Sequence, residues 1–426
     1  LIWILLTALA LLLASGAALA YVVGAVGNIG FILSGNARYL AVLPQRIFSQ
    51  IDVFSLMAMP LFILTGELMN RSGCTRALVD FSMSLVGRFK GGLGHVNILA
   101  SVFFAGISGS AVADAAALGT TLIPAMREKG YTNTYAGAVT AASSIIGPII
   151  PPSIIMIFYG SFMQASVGGL FAGGIIPGLL LGGCLLLGNA FFAHRHNHPG
   201  GKGEPVPRLV PAFLRASPAL ILPLIILGGI VFGVVTPTEA GALAAIMAGM
   251  LGLIYEGMDR RKIWESFRDT AILTGSIFMV LTAAACAGWV ASLEQIPQGV
   301  GDLVDRLGLT GSHYLLILNV VFLAAGMVMD IPMALALLVP IFGPTALAHG
   351  IDPIHLGIVV CLNLTIGLVT PPIGGCLIVV SAIARENYWT LARATLPFVA
   401  IEIVVLAAII FVPELSLFLP RKLGLN

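Results

Sequence analysis

Four interruptions in otherwise apolar stretches carry the residues able to do chemistry. They are GISGS (106–110), SSIIGPIIPPS (143–153), GMVMDIP (326–332) and NLTIGLVTPP (363–372). In each, glycine and proline break the helical hydrogen-bond ladder, and a freed carbonyl in hydrocarbon is costly unless something satisfies it. A hard cation such as Na⁺ would do so, with hydroxyl and carboxylate oxygens completing its shell. Helix N-termini at the same breaks favour a carboxylate ligand. The reading assigns about two Na⁺ ions, one to each half of the chain. The first would use Ser108, Gly109, Ser110, Ser143, Ser144 and Gly147; the second Met329, Asp330, Thr365, Gly367 and Thr370. A small carboxylate substrate would meet Ser108, Ser110, Ser153, Asp330 and Thr370.

Each assignment has a plainer rival. A serine in such a helix commonly bonds back to its own turn. Asp330 is the strongest single position, because an intramembrane carboxylate is functional by default; its rival is an interfacial residue at a hairpin end. Asp114, one turn after the first break, would support the tip. Glu239 fits a helix N-terminus, and Glu67 and Trp289 read as structural or interfacial.

These breaks need a membrane around them. The 426 residues are 58% hydrophobic and 9% charged, against about 25% charged in soluble domains. A lipid bilayer is therefore the expected solvent. The net charge of +2 gives no case for nucleic acid. Five cysteines without CxxC spacing read as apolar fillers, and the HRHNH run (194–198) as a solvated loop rather than a metal site. The N-terminal apolar stretch lacks a charged leader and is not expected to be a signal peptide. No GxSxG, HExxH or paired catalytic carboxylates occur, so an enzyme is not expected.

Apolar segments fall at about 1–34, 55–70, 92–126, 133–163, 168–193, 217–235, 238–256, 270–290, 313–349, 355–383 and 395–414. Segment 92–126 is long, is broken at GISGS and has basic residues at both ends: Arg88 and Lys90, then Arg127 and Lys129. Positive residues favour the cytoplasmic side, so the segment is expected to enter, turn and return as a re-entrant hairpin. Later basic clusters (Arg195, Lys202, Arg208 and Arg215; Arg260, Arg261 and Lys262; Arg385 and Arg393) fit the same charge map, and Arg421 with Lys422 does not.

A shift of 220 residues superposes seven glycines and prolines: Gly106 on Gly326, Pro124 on Pro344, Gly130 on Gly350, Gly137 on Gly357, Gly147 on Gly367, and Pro151-Pro152 on Pro371-Pro372. About two matches are expected by chance. These residues set backbone shape, so a second hairpin (313–349) and a second broken helix (355–383) are expected. Five intervening crossings would invert the second copy. Inverted repeats with discontinuous helices characterise secondary transporters, whereas a channel needs a continuous pore that two opposed hairpins would block. The fold class is thus an all-α polytopic membrane protein with inverted-topology repeats. The expected units are 1–90 (scaffold helices and an amphipathic arm), 91–165 (first repeat), 166–312 (central scaffold and second arm), 313–383 (second repeat) and 384–426 (C-terminal helix).

The stretch GGLGHVNILASVFFAGISGSAVADAAALGTTLIPAMREKGY (91–131) resembles the large permease of tripartite ATP-independent periplasmic (TRAP) transporters. So do PLFILTGELMNRSG (60–73), AASSIIGPIIPPSIIMIFYG (141–160) and GLVTPPIGGCLIV (367–379). The resemblance runs through essentially the whole chain. It implies Na⁺-driven import of sialic acid, a C4-dicarboxylate or a related carboxylate across the bacterial inner membrane by an elevator motion. It also implies two partners, a small four-helix membrane subunit on a separate polypeptide and a periplasmic substrate-binding protein. Its ion sites match 106–110, 143–148, 326–330 and 363–370 here. The second tip reads GMVMD rather than a serine-rich turn, so two chemically different sites are expected. A stand-alone Na⁺-coupled carboxylate carrier of similar fold is the alternative.

Overall fold

The structure is a computed structural model describing residues 2–35, 37–200, 206–255, 258–309 and 311–425. Lys202, part of the basic loop of the charge map, lies outside the described residues. Among these residues the chain is helical throughout, with no strand. That is the expected answer to a bilayer, where a helix satisfies its own backbone. Val167–Arg195, Leu209–Val231, Arg260–Leu293, Ile331–Ala348 and Tyr388–Phe411 are each long and apolar enough to cross, and Leu43–Ile51 with Phe54–Arg71 makes a further pair bent by 64°. The N-terminal apolar stretch is built of two helices, Ile2–Ala14 and Leu19–Leu33.

The long apolar segments divide where glycine and proline fall. The first hairpin is Gly92–Ser108 and Ala111–Glu128; the second is Ser312–Gly326 and Ile331–Ala348. The first broken helix is Asn133–Ser144 and Ile154–Met163; the second is Pro353–Gly367 and Gly375–Ala384. At 1.5 Å per residue the hairpin arms rise about 22–27 Å, from below spanning length to its lower end.

The 220-residue offset is carried into the helix boundaries. Adding 220 to Ala111–Glu128 gives Ile331–Ala348 to the residue. The caps follow the same offset. Thr132 and Asp352 both cap with their side chains, and Ser110 and Asp330 both sit at the N-cap of a hairpin's second arm. Pro151-Pro152 and Pro371-Pro372 are both cis.

Packing interleaves the two copies. Ala111–Glu128 lies against Asn133–Ser144 of its own repeat and Gly375–Ala384 of the other. Ile331–Ala348 lies against Pro353–Gly367 of its own and Ile154–Met163 of the other. Around this core, Ala58–Arg71 packs along Pro237–Tyr255 and Arg260–Leu293. Arg71 ties its helix to Arg260–Leu293 by ion pairs to Glu265 at 3.0 Å and Asp269, and also pairs with Glu67 of its own helix at 3.4 Å. The two amphipathic arms ahead of the hairpins, at about 71–90 and 291–312, differ. Cys74–Val86 buries a full face, whereas Ile296–Arg306 buries only Val304.

Candidate functional site

The first tip is built by one glycine and two serines. Gly109 ends the first arm with φ of 59°, a left-handed conformation that glycine adopts without penalty. Ser110 then caps the second arm, its hydroxyl accepting from Ala113 N–H at 3.5 Å. The Ser108 hydroxyl accepts from the Ser110 N–H at 3.2 Å and donates to Asp114 Oδ1. Asp114 is completely buried, and its other oxygen, Oδ2, has no hydrogen-bond partner. That oxygen sits over Gly147, where an added Cβ would collide with it. Gly109 in turn approaches the Pro152 carbonyl, 2.8 Å from where a Cβ would stand. The hairpin tip thus touches the first broken helix at two points, with a free carboxylate oxygen at one of them.

Other nominated hydroxyls of this half are engaged locally. Ser144 donates to the Ala141 carbonyl at 2.7 Å and Ser153 to Pro148 at 2.5 Å. Ser143 is held in a buried network: it donates to Asn97 Oδ1 at 3.1 Å and accepts from Ser101 at 2.9 Å, while Asn97 donates to Thr140 at 2.6 Å. The Ser143 and Ser144 carbonyls are not free either, because tight turns send them the N–H groups of Ile146 and Gly147, both at 3.2 Å. Each keeps a second lone pair. Sequence reading treated these carbonyls as released; the structure corrects that, since the break is made of successive i+3 turns.

The second tip is arranged differently. Asp330 caps Ile331–Ala348 without a side-chain hydrogen bond and is exposed; its charge faces the positive end of that helix. Met329 N–H bonds Ala325 at 2.8 Å, and the Met327 carbonyl accepts from Ile373 at 3.2 Å. Thr365 and Thr370 donate to Cys361 and Ile366, at 2.6 and 2.8 Å. No hydrogen bond joins Asp330, Thr365 and Thr370 among the described residues. Gly367 lies directly against the Gly326 backbone.

Asn363 falls inside the expected ion-site stretch 363–370 but is not among the individually nominated ligands. It stands at the position equivalent to Ser143, donates to the Asn319 carbonyl at 2.9 Å and leaves a buried Oδ1 unpartnered. It lies inside the fourth motif, so the motif was visible and the oxygen's freedom was not. Glu67, read as structural, also lines a cavity of about 40 Å³ with Gly66, Asn70, Ser108 and Ser110, between Ala58–Arg71 and the first tip. That volume admits about one or two waters and no organic acid.

The family model for the DctM component of tripartite ATP-independent periplasmic transporters matches residues 6–415. The chain is 38% identical over 398 residues to the sialic acid TRAP transporter large permease protein SiaM of Vibrio cholerae, covering 92% of each. It is 36% identical over 392 residues to the C4-dicarboxylate TRAP transporter large permease protein DctM of Pseudomonas aeruginosa, covering 92% of this chain and 91% of that one. Among solved structures, the YdaH transporter of Alcanivorax borkumensis has the same fold, with a TM-score of 0.66 at 14% identity over 92% of this chain and 90% of that one. The chain therefore belongs to the DctM-component family of tripartite ATP-independent periplasmic transporters, and is a large membrane permease rather than an enzyme.

Proposed function

We propose that this permease imports a carboxylated organic acid of the sialic acid or C4-dicarboxylate class across the bacterial inner membrane, driven by Na⁺. The substrate is handed over by a periplasmic binding protein, and a small four-helix membrane subunit completes the complex. The two matched halves act as inverted repeats whose re-entrant hairpins form a mobile core, and the helices around Ala58–Arg71 and Arg260–Leu293 form the scaffold. Named relatives of both substrate classes support the carboxylate reading.

The observation that carries the coupling is Asp114 Oδ2: a fully buried, unpartnered carboxylate oxygen at the contact between a hairpin tip and a broken helix. A cation ligated there would satisfy it and hold the tip closed. Ser108, the Ser144 carbonyl and the backbone at Gly147 supply further oxygens. In the second repeat a buried, unpartnered oxygen is offered instead by Asn363 Oδ1, at the position equivalent to Ser143 rather than to Asp114. The small tip cavity supports a motion in which core and scaffold must separate to admit substrate.

The reading is tested by uptake of a labelled carboxylate into proteoliposomes containing both membrane subunits, with binding protein outside. An inward Na⁺ gradient should drive accumulation, and K⁺ in its place should not. Accumulation that continued unchanged without Na⁺ would overturn the coupling. Asp330→Asn should impair Na⁺-driven uptake while the protein inserts and elutes as wild type. Wild-type uptake with unchanged Na⁺ dependence in that variant would remove Asp330 from the second site.

A further inference from the structure

Glu402 takes no part in the tips, and sequence reading passed it over. It lies 14 residues after Tyr388 and nine before Phe411 in the helix Tyr388–Phe411, about 21 and 13 Å from its ends. It is completely buried, and neither carboxyl oxygen has a hydrogen-bond partner. The residues one turn to either side, Phe398, Val399, Val405 and Leu406, are all buried and apolar. An ionised carboxylate there, with no counter-charge, is costly, so the protonated form is favoured until the pH is raised. A metal cation would need several oxygen ligands, and no hydrogen bond connects Glu402 to any of the residues nominated for Na⁺. A proton needs the carboxyl group alone.

We propose that Glu402 is a proton-binding site of the permease, separate from the hairpin tips, whose occupancy makes transport pH dependent. The helix packs against 133–144, 167–195, 312–326, 353–367, 375–384 and 414–422. From 375–384 the only titratable group is Cys376, a completely buried thiol. From 133–144, Tyr135 stands against Phe398. The interior titratable groups of 167–195 and 353–367 are Cys184, Cys361 and His355, and none hydrogen-bonds Glu402. The titratable groups of 312–326 lie in its first turn, the basic ones of 167–195 in its last, and those of 414–422 on the short terminal helix.

Uptake by the reconstituted complex is measured at a fixed Na⁺ gradient across a pH series without a pH gradient. Wild-type uptake should fall about tenfold per pH unit on an alkaline limb as Glu402 ionises. Glu402→Gln, fixed in the neutral form, should lack that limb, and Glu402→Asp should displace it. An identical limb in Glu402→Gln overturns the proposal, as does an intact limb with an altered Na⁺ requirement, which would make Glu402 a cation ligand. Infrared difference spectra of the purified complex between acid and alkaline pH provide a readout that needs no transport. Loss of one protonated-carboxyl band in Glu402→Gln supports the proposal; equal bands in both proteins, or none in either, overturn it. Should Glu402→Gln fail to fold, Glu402→Asp must shift that band, and an unshifted band overturns it.

Discussion

Asp114→Asn should raise the Na⁺ concentration needed for half-maximal uptake by about 10- to 100-fold, the range expected when a charged partner worth about 1.5–3 kcal/mol is lost. The side chain is fully buried with one oxygen receiving the Ser108 hydroxyl and the other receiving nothing. Asparagine preserves the shape and can still accept from Ser108, but removes the charge that a cation would see. A neutral amide is also easier to bury than a carboxylate, so insertion and thermal stability without Na⁺ should be maintained or improved. Stabilisation by added Na⁺ should weaken in parallel with uptake. Ser108→Ala removes one neutral donor, and the effect should be smaller, about two- to tenfold. If Asp114→Asn kept the wild-type Na⁺ dependence in both uptake and melting, Asp114 would be only a brace for the tip.

That prediction rests on a side-chain direction, which is the part of the site the sequence did not disclose. The breaks themselves were legible because glycine and proline act through the backbone. The same residue types recurring 220 apart mark equivalent turns, and the caps at Thr132 and Asp352 fall at the same offset. Which oxygens remain free depends on rotamers and on neighbours distant in sequence. Ser144, Thr365 and Thr370 each turned back onto their own helix, the plainer of the two readings. Ser143, besides facing its own Thr140 carbonyl, also met Asn97 and Ser101 from the preceding hairpin. A four-residue spacing of Asn97 and Ser101 was a readable signal for that network, since it places both on one helix face. Glu402 had a simpler signal, a lone acid in the middle of the last apolar run, away from every break. Asp114 was placed beside the tip, but its orphan oxygen emerges only once Gly147 is brought over it.

The two repeats use the same glycine for different purposes, and Gly367→Ala should expose this. In the first repeat the space above Gly147 is filled by Asp114 Oδ2; in the second, Ala334 occupies the position equivalent to Asp114, and Gly367 closes directly on the Gly326 backbone. A Cβ at Gly367 would strike those backbone atoms, and a Cβ at Gly326 would come within 2.9 Å of the Leu364 carbonyl. Backbone cannot swing aside as a side chain can, so the second hairpin would have to move off the broken helix. Overpacking of this kind costs about 1–3 kcal/mol. Gly367→Ala should therefore lower the melting temperature of the purified complex and cut uptake, with no recovery at high Na⁺. Gly147→Ala meets a side-chain oxygen instead. Its uptake should fail through weakened Na⁺ response, with a smaller loss of melting temperature. Equal melting losses in the two variants would argue against this division of roles, and a Gly367→Ala protein that melted and transported like wild type would show that the second tip does not depend on this backbone contact.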